Sequence, residues 1–375
     1  MPGRVLVTGG AGFIGSFIAD RMIAEGYRVR LLDNLDPQVH PYGRPDYLKD
    51  EAELIVADIR DKTALTDAVR EVDLIVHCAA VVGVGQSMYR VQHYADTNVG
   101  GTAALLEGII ERKEPLKKLI VFTSMTGYGE GVYRRPSDGS LLRIGVRSQS
   151  DVDRYGWEPV CPQTGEVLEP VPTPEDAALL ATNVYALTKR YQEELVLSLG
   201  HTYHFPIVCL RLFNVYGPRQ SLSNPYTGVL AIFLSRLLNN EAPVVYEDGR
   251  QTRDFVSVHD VVQACMLAIE KPAADYQVIN VGTGVARRVV DIARTLARLL
   301  GKSEIEPKIT GQFRQGDIRH CTADISRARR LLGFLPTANW EEKLAELVAW
   351  AGSAPSDDHF SQAHEELRAH GLVEG

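Results

Sequence analysis

Tyr185 and Lys189 stand four residues apart in the stretch "NVYALTKR", residues 183–190. On a helix that spacing puts both side chains on one face. A phenol titrates near 10 when unperturbed. An adjacent ammonium, or a positively charged nicotinamide, favours the phenolate and would lower that value. A tyrosine so lowered can act as a general base near neutral pH. The pattern alone is common, and an exposed Tyr–Lys face explains most instances of it. Here its company matters. Upstream, "FTSMTGYG" (residues 122–129) follows an apolar run, Leu119-Ile-Val-Phe122, that reads as a buried strand. The hydroxyls of Thr123, Ser124 and Thr126 therefore fall where a strand ends, a usual place for a site in an open α/β sheet. The stretch holds no Asp, Glu, His, Lys or Cys, so any acid or base must come from another element.

A second constellation is suited to holding a phosphate. "VLVTGGAGFIGSFIAD" places Gly9, Gly12 and Gly15 at three-residue spacing, after a strand and at the start of an amphipathic helix that begins with Phe13 and Ile14. Such glycines permit a tight turn, close approach of backbone to a pyrophosphate, and close helix–strand packing, while the helix N-terminus faces the negative charge. A glycine triplet alone is weak evidence, but here the strand and helix required around it are both present. Asp33 ends "RVRLLDN", 18 residues after Gly15, with Asn34 beside it. A carboxylate there accepts from a ribose 2′-OH and repels a 2′-phosphate, which favours NAD over NADP. Asp58-Ile59 falls where an adenine would lie, and Ala79 and Ala80 supply small side chains beside the dinucleotide. Each is ordinary strand-end composition when taken alone. His77 is expected to be a satisfied core histidine.

These residues need elements to hold them. Short β-rich runs at Val5–Thr8, Val29–Asp33, Leu54–Ala57, Leu74–His77 and Leu119–Thr123 alternate with helical patterns such as Phe13, Phe17, Ile18, Met22. Ile207–Leu212 and Val278–Val281 continue the series. Strand–helix alternation at this rhythm predicts parallel βαβ units, hence an α/β fold with a Rossmann-type doubly wound parallel sheet. Residues 130–180, rich in Gly, Pro, Arg, Asp and Ser, read as a long irregular insertion. It has a small hairpin around Glu158–Leu168, and either covers the site as a flap or is a surface excursion. The expected division is an NAD-binding domain of residues 1–215, also receiving 256–284, and a smaller mixed α/β substrate domain of 216–255 and 285–375. Helices near 227–239, 259–270, 289–301 and 326–332 and a strand near 243–246 belong to this second half. After a break at Ala351–Ser356 the last 20 residues read as a peripheral helix or tail.

Bulk properties exclude several classes. The 375 residues are 45% apolar and 23% charged, as in an ordinary soluble globular protein. A net charge of −8 argues against nucleic acid or an anionic membrane as main partner. Five scattered cysteines without a CxxC pair argue against a zinc site or a disulfide framework, and no metal is expected. Cys78, Cys209 and Cys265 read as core thiols. With no signal-like N-terminal segment and no apolar run long enough for a membrane span, a cytoplasmic location is expected.

As an ordered set, "TGGAGFIG", "DI", "HCAA", "TSMTGYG", "YALTK", "RLFNVYGPRQ" and "RDFVSVHD" resemble the extended short-chain dehydrogenase/reductases, the nucleotide-sugar epimerase/dehydratase group. The resemblance runs from residue 4 to about residue 340. It implies NAD as cofactor, a nucleotide-diphosphate sugar as substrate, and Ser124, Tyr185 and Lys189 as the catalytic trio. Ser124 would hold the sugar oxygen, Tyr185 move its proton, and Lys189 bind nicotinamide ribose and tune the tyrosine. The 61 positions from Ser124 to Tyr185 exceed the usual family distance, and the insertion accounts for the excess. The resemblance places Asn98 with the cofactor and Met125, Thr126, Asn214, Arg219, Arg253, Arg314 and Asp317 with the substrate, the last three around the diphosphate and nucleotide ribose. Arg134, Arg135 and Arg143 in the insertion read as solvated. Dehydratases of the group carry Asp-Glu where this chain has Met125-Thr126; decarboxylases put Glu, and 3,5-epimerising relatives Cys, at Thr126. Elimination, decarboxylation and enolisation are thus disfavoured, and C4 epimerisation is expected, with a 4-ketoreductase as the alternative. "LDNLDPQVH", "GVGQSMY" and "GDIRHCTADI" resemble, more narrowly, bacterial dTDP-L-rhamnose 4-epimerases; UDP-glucose/UDP-galactose or another deoxysugar 4-epimerase is the runner-up. The resemblance also implies a homodimer, with the helix from Asn98 and the Tyr185 helix packing against their copies.

Overall fold

The structure, a computed structural model, describes residues 3–112, 114–314 and 316–372. Seven strands form one sheet: β1 (Arg4–Thr8), β2 (Arg28–Asp33), β3 (Glu53–Val56), β4 (Leu74–His77), β5 (Lys118–Ser124), β6 (Ile207–Leu212) and β7 (Gln277–Val281). Their spatial order is β7-β6-β5-β4-β1-β2-β3, and every pairing is parallel. This is the Rossmann arrangement of a doubly wound sheet, with its order reversing between β1 and β4. The expected strands are all present. Their apolar runs are continuous because successive residues enter two different cores: Val5, Val7, Ile120 and Phe122 on one face, Leu6, Leu119 and Val121 on the other.

Helix α1 (Phe13–Ala24) follows β1, α2 (Gly101–Glu111) precedes β5, and α3 (Val184–Tyr203) carries the Tyr–Lys pair into β6. Helix α4 (Val258–Glu270) packs against α1 and precedes β7. Beyond the sheet, the helices Val229–Leu238, Val289–Leu299 and Trp340–Ala351 close around a third core that includes Phe233, Leu237, Ile292, Leu296 and Leu347. A small mixed sheet joins Asn214–Tyr216 to Thr252–Ser257, and the latter to Ala286–Arg288 and His320–Cys321. Among the described residues no helix is long and apolar enough to cross a membrane.

The insertion is not irregular. Val132–Arg134 pairs antiparallel with both Leu141–Arg143 and Glu169–Val171, and Gln149–Tyr155 forms a helix closed by a Ser148–Asp151 capping box. The expected hairpin is present as the antiparallel bridge Val160–Val167. The order comes from charge. Glu130 accepts from Tyr133 Oη (2.8 Å), Arg147 Nε (3.4 Å) and the backbone N–H of Arg319 (2.8 Å). Arg147 and Arg319 both pair with Glu247, at 2.8 and 2.7 Å. Arg319 pairs further with Asp248 and Glu158. Arg319 is 0% exposed and Glu130 and Glu247 only 2%. A buried charge is tolerated only when paired and fully hydrogen-bonded, so these contacts fix the insertion against residues 247–248 and 319–320. Arg143 is correspondingly not solvated: it donates to the carbonyls of Tyr128, Glu130 and Ala178. Arg134 and Arg135 stay near the surface, paired with Glu169 and Asp138.

Candidate active site

A cavity of about 630 Å³ opens at the C-terminal edge of the sheet, beside the β1/β4 reversal. It runs from Gly9, Asp33 and Ala79 past Ser124 to Arg253 and Arg314. None of residues 130–180 lines it, so the insertion is not a flap over the site.

The cradle fits a dinucleotide. Gly9 has φ +66°, and a Cβ there would lie 2.7 Å from the Ala79 backbone nitrogen. A Cβ on Gly15 would collide with the Gly9 carbonyl oxygen. Gly12 is the N-cap of α1 and leaves that helix end without a side-chain cap, so its N–H groups remain for a phosphate. Asp33 is buried and accepts from the backbone N–H of Ala11 and of Leu35, each at 2.9 Å. Those two bonds fix the carboxylate at the cavity wall. Phe13, Ile14, Asn34, Ile59, Ala79 and Ala80 line the same half.

Two expected cofactor contacts are placed otherwise. Asp58 stands outside the cavity lining, bound to Arg60 at 2.7 Å and reached by Asn34 Nδ2 at 3.4 Å. Arg60 holds its carboxyl down at about 2. Asn98 is fully buried behind the wall. Its amide bonds both the N–H (2.8 Å) and the carbonyl (3.1 Å) of Val81, and Thr188 Oγ1 (3.0 Å). It braces the segment after β4 against α3.

Ser124, at the end of β5, accepts from the backbone N–H of Thr126 (3.2 Å) and from Thr126 Oγ1 (2.9 Å). A hydroxyl has two acceptor positions and one proton, so Thr126 occupies the acceptors and leaves the proton to be donated. Tyr185 and Lys189 are both buried in the wall. Lys189 Nζ donates to the Phe122 carbonyl (2.9 Å) and to Gln192 Oε1 (2.7 Å). Gln192 in turn reaches Thr102 (2.7 Å) and His77 (3.2 Å). His77 also bonds Thr8 at 2.7 Å. It is the satisfied core histidine expected, held down at about 3 by burial.

The expected lowering of the phenol is not seen in the protein alone. Burial pushes Tyr185 up to about 12, opposed by the nearby Ser124 hydroxyl, and pushes Lys189 down to about 8. In a low-dielectric wall both charged forms are penalised. A phenol so buried would need further positive charge beside it to ionise near neutral pH.

In the other half, Met125, Thr126, Asn214, Arg253, Arg314 and Asp317 line the cavity. Asp317 holds Arg314 at 2.8 Å, and Arg253 donates to the carbonyls of Thr252, Ile318 and Arg319. Arg219 is placed away from the cavity. Its guanidinium lies outside the lining, on the rings of Phe17 (4.4 Å) and Tyr47 (4.8 Å), and pairs with Asp20 at 2.8 Å. Its neighbour Gln220 lines the cavity instead. The side-chain oxygens of Gln220, Gln251 and Asn214 are buried there without a hydrogen-bond partner. The first of these was one residue away in the matched motif; Gln251 carried no signal in sequence.

Residues 5–150 and 160–282 match the NAD dependent epimerase/dehydratase family. The chain belongs to this family. It is an NAD-dependent enzyme of the nucleotide-sugar epimerase class. It is 36% identical over 355 residues to a dTDP-L-rhamnose 4-epimerase of Burkholderia thailandensis, covering 92% of this chain and 94% of that one. The solved UDP-N-acetylglucosamine 4-epimerase of Methanobrevibacter ruminantium, in complex with UDP-N-acetylmuramic acid, superposes with a TM-score of 0.76 at 30% identity, over 94% of this chain and 99% of that one. A UDP-glucuronic acid 4-epimerase of Bacillus cereus, solved with UDP-glucuronic acid and NAD, gives 0.73 at 26% identity, over 93% and 99%. The three relatives carry different sugars in their names on one epimerase fold.

Proposed function

We propose that the enzyme interconverts dTDP-L-rhamnose and dTDP-6-deoxy-L-talose by oxidation and re-reduction at C4. The observation that carries the reaction type is the surroundings of Ser124. Its neighbours on the cavity wall are Met125 and Thr126, with no carboxylate or thiol among residues 122–129 to serve elimination, decarboxylation or enolisation. Likeness to the Burkholderia enzyme supports the choice of sugar.

In this reading the Ser124 proton is donated to the C4 oxygen or to the Tyr185 phenol oxygen. Tyr185 takes the proton of the C4 hydroxyl and later returns it. Lys189, fixed by Phe122 and Gln192, binds the nicotinamide ribose and adds positive charge near the phenol. NAD, when bound, supplies the hydride acceptor and donor at C4 and a cationic ring that favours the phenolate. Gly9, Gly12 and Gly15 receive its pyrophosphate and Asp33 its adenosine ribose. Arg253 and Arg314 receive the substrate diphosphate, for which planar guanidinium donors are suited. Between the two proton transfers the sugar must present its other face.

The division into residues 1–215 with 256–284 for cofactor, and 216–255 with 285–375 for substrate, belongs to the same proposal. So does a cytoplasmic homodimer. Leu187 and Tyr191, one turn apart on α3, are 38% and 53% exposed, with Met88 and Val91 also exposed; an apolar strip of this kind favours a second copy. A monomeric mass in solution scattering would refute the dimer.

The deciding experiment is proton NMR of the purified enzyme with dTDP-β-L-rhamnose in D₂O, no nicotinamide added. The expected result is a C4 epimer with no deuterium on carbon. Deuterium at C3 or C5 would mean enolisation and would overturn the reaction type. Turnover of UDP-glucose in place of the rhamnose nucleotide would keep the reaction and replace the sugar, the reading that the UDP-sugar epimerase structures favour. Turnover only with added NAD(P)H would mean a ketoreductase.

A further inference from the structure

The C-terminal helix, Phe360–Ala369, reads in sequence as a peripheral piece. In the structure it is a wall of the cavity. Phe360, Ala363, His364 and Leu367 all line it; their spacing is that of one helix face. Ala363 and Leu367 are buried, at 5% and 7% exposure. The opposite face is polar: Ser361, Gln362, Glu365 and Arg368.

The helix is tied to both halves of the protein. Glu366 accepts from Tyr226 Oη at 2.5 Å and from Tyr89 Oη at 2.9 Å, and the two phenols lie 2.7 Å apart. Tyr89 belongs to the segment after β4 and stacks on the His370 ring, centroids 4.4 Å apart. Leu367 rests on Gly85 of the same segment, where a Cβ would meet it at 2.8 Å. On the other side His364 Nδ1 and Tyr246 Oη are 3.0 Å apart, and Asp358 pairs with Arg236 at 3.0 Å. Tyr246 in turn lies under the Arg314 guanidinium, 5.1 Å from ring centre to carbon.

We infer that this helix retains the nucleotide sugar, with His364 and Leu367 as contact residues, and keeps the 4-keto sugar from leaving while it turns. The inference rests on the C4 oxidation–reduction reading above. In that chemistry the first half-reaction moves an electron pair from the sugar to NAD. A ketone that escapes is released oxidised and leaves the cofactor reduced, so the enzyme stops. A cavity serving this reaction must let the sugar rotate and prevent it from dissociating, and a tethered helix forming one of its walls meets both needs.

The test compares the wild type with a chain ending at Ser356 and with full-length E366A, which keeps the helix and removes its tyrosine tether. dTDP binding is measured by calorimetry, KM and kcat with dTDP-β-L-rhamnose, and reduced nicotinamide by its near-ultraviolet absorbance during turnover. The expected result for both variants is a weakening of dTDP binding and a rise in KM of about tenfold, roughly 1.4 kcal/mol. kcat should change far less at first, then decay as reduced cofactor accumulates. If the shortened chain is insoluble, E366A alone decides. Unchanged dTDP affinity, unchanged KM and no accumulated reduced cofactor would overturn the inference. A wild type that turns over no sugar nucleotide would refute the functional reading instead, and the dTDP affinities would still report whether the helix closes the nucleotide site.

Discussion

The two bonds from Thr126 to Ser124 make a sharp prediction. Thr126→Val removes the 2.9 Å hydroxyl bond and keeps the 3.2 Å backbone bond, at nearly constant side-chain volume. Ser124 then regains an open acceptor and its proton is no longer directed. A neutral hydrogen bond contributes about 0.5–1.5 kcal/mol, so kcat should fall by about two- to twelvefold. Ser124→Ala removes a donor to a developing phenolate or alkoxide, a charge-assisted bond of about 1.5–3 kcal/mol, and kcat should fall by about ten- to 150-fold. If Thr126 acts through Ser124, its own effect should vanish in the double variant, giving a coupling energy about equal to the single Thr126→Val effect. The assay is steady-state epimerisation followed by NMR, with kcat and KM separated across pH. Because the Ser124 hydroxyl opposes the upward shift of Tyr185, the acidic limb of activity, where the phenol must lose its proton, should move to higher pH in Ser124→Ala. Full additivity of the two substitutions would refute the orienting role. A change confined to KM would mean that Thr126 touches the sugar directly.

Tyr185→Phe should abolish turnover while the purified protein still carries NAD, measured by extraction and absorbance; retained turnover would remove the mechanism. Gly15→Ala should yield folded protein with little NAD, since its methyl group would enter the space of the Gly9 carbonyl oxygen. Lys189 has a folded pKa of about 8 against an ordinary 10.5, worth roughly 3 kcal/mol. That penalty is full below about 8 and is relieved as pH rises towards 10.5, because there the unfolded chain binds the proton and the folded one does not. The melting temperature of wild type relative to Lys189→Met should therefore climb between these limits; a flat difference would contradict the burial. Arg319→Leu takes the guanidinium from Asp248, leaves Glu247 with Arg147 alone and Glu158 with His320, and should destabilise the protein by about 3–5 kcal/mol, read as a fall in the denaturation midpoint.

The sheet was legible because its inner strands are buried on both faces and so appear as unbroken apolar runs; even the more exposed edge strand Glu53–Val56 shifted by only one residue. The glycine turn, and the meeting of Ser124, Tyr185 and Lys189 on one cavity wall, were legible because short motifs fix backbone geometry. Motifs do not fix where a long side chain goes. Arg219 has φ +68° and turns to Asp20 and two aromatic rings, and Asn98 spends its amide on Val81 and Thr188. The insertion was opaque for a different reason. Its order rests on ion pairs such as Arg147–Glu247 and Arg319–Glu158 between residues 100 and 161 positions apart, and no local periodicity encodes a partner that distant. The C-terminal helix has a readable apolar stripe, but nothing in its own sequence says that the stripe faces a cavity.

Glu130 lies only six residues beyond Ser124. One end of that short span is anchored in β5, the other in the buried charges of Arg147 and Arg319. The serine is thus mounted like a bridge on two piers, and the second pier is built from the insertion. Trimming residues 130–180 to make a smaller catalyst would not shorten a loop; it would demolish a support. A change made at the outer surface, at Glu158 for instance, should be audible at the reacting oxygen, which makes the insertion a place to tune the rate without entering the cavity.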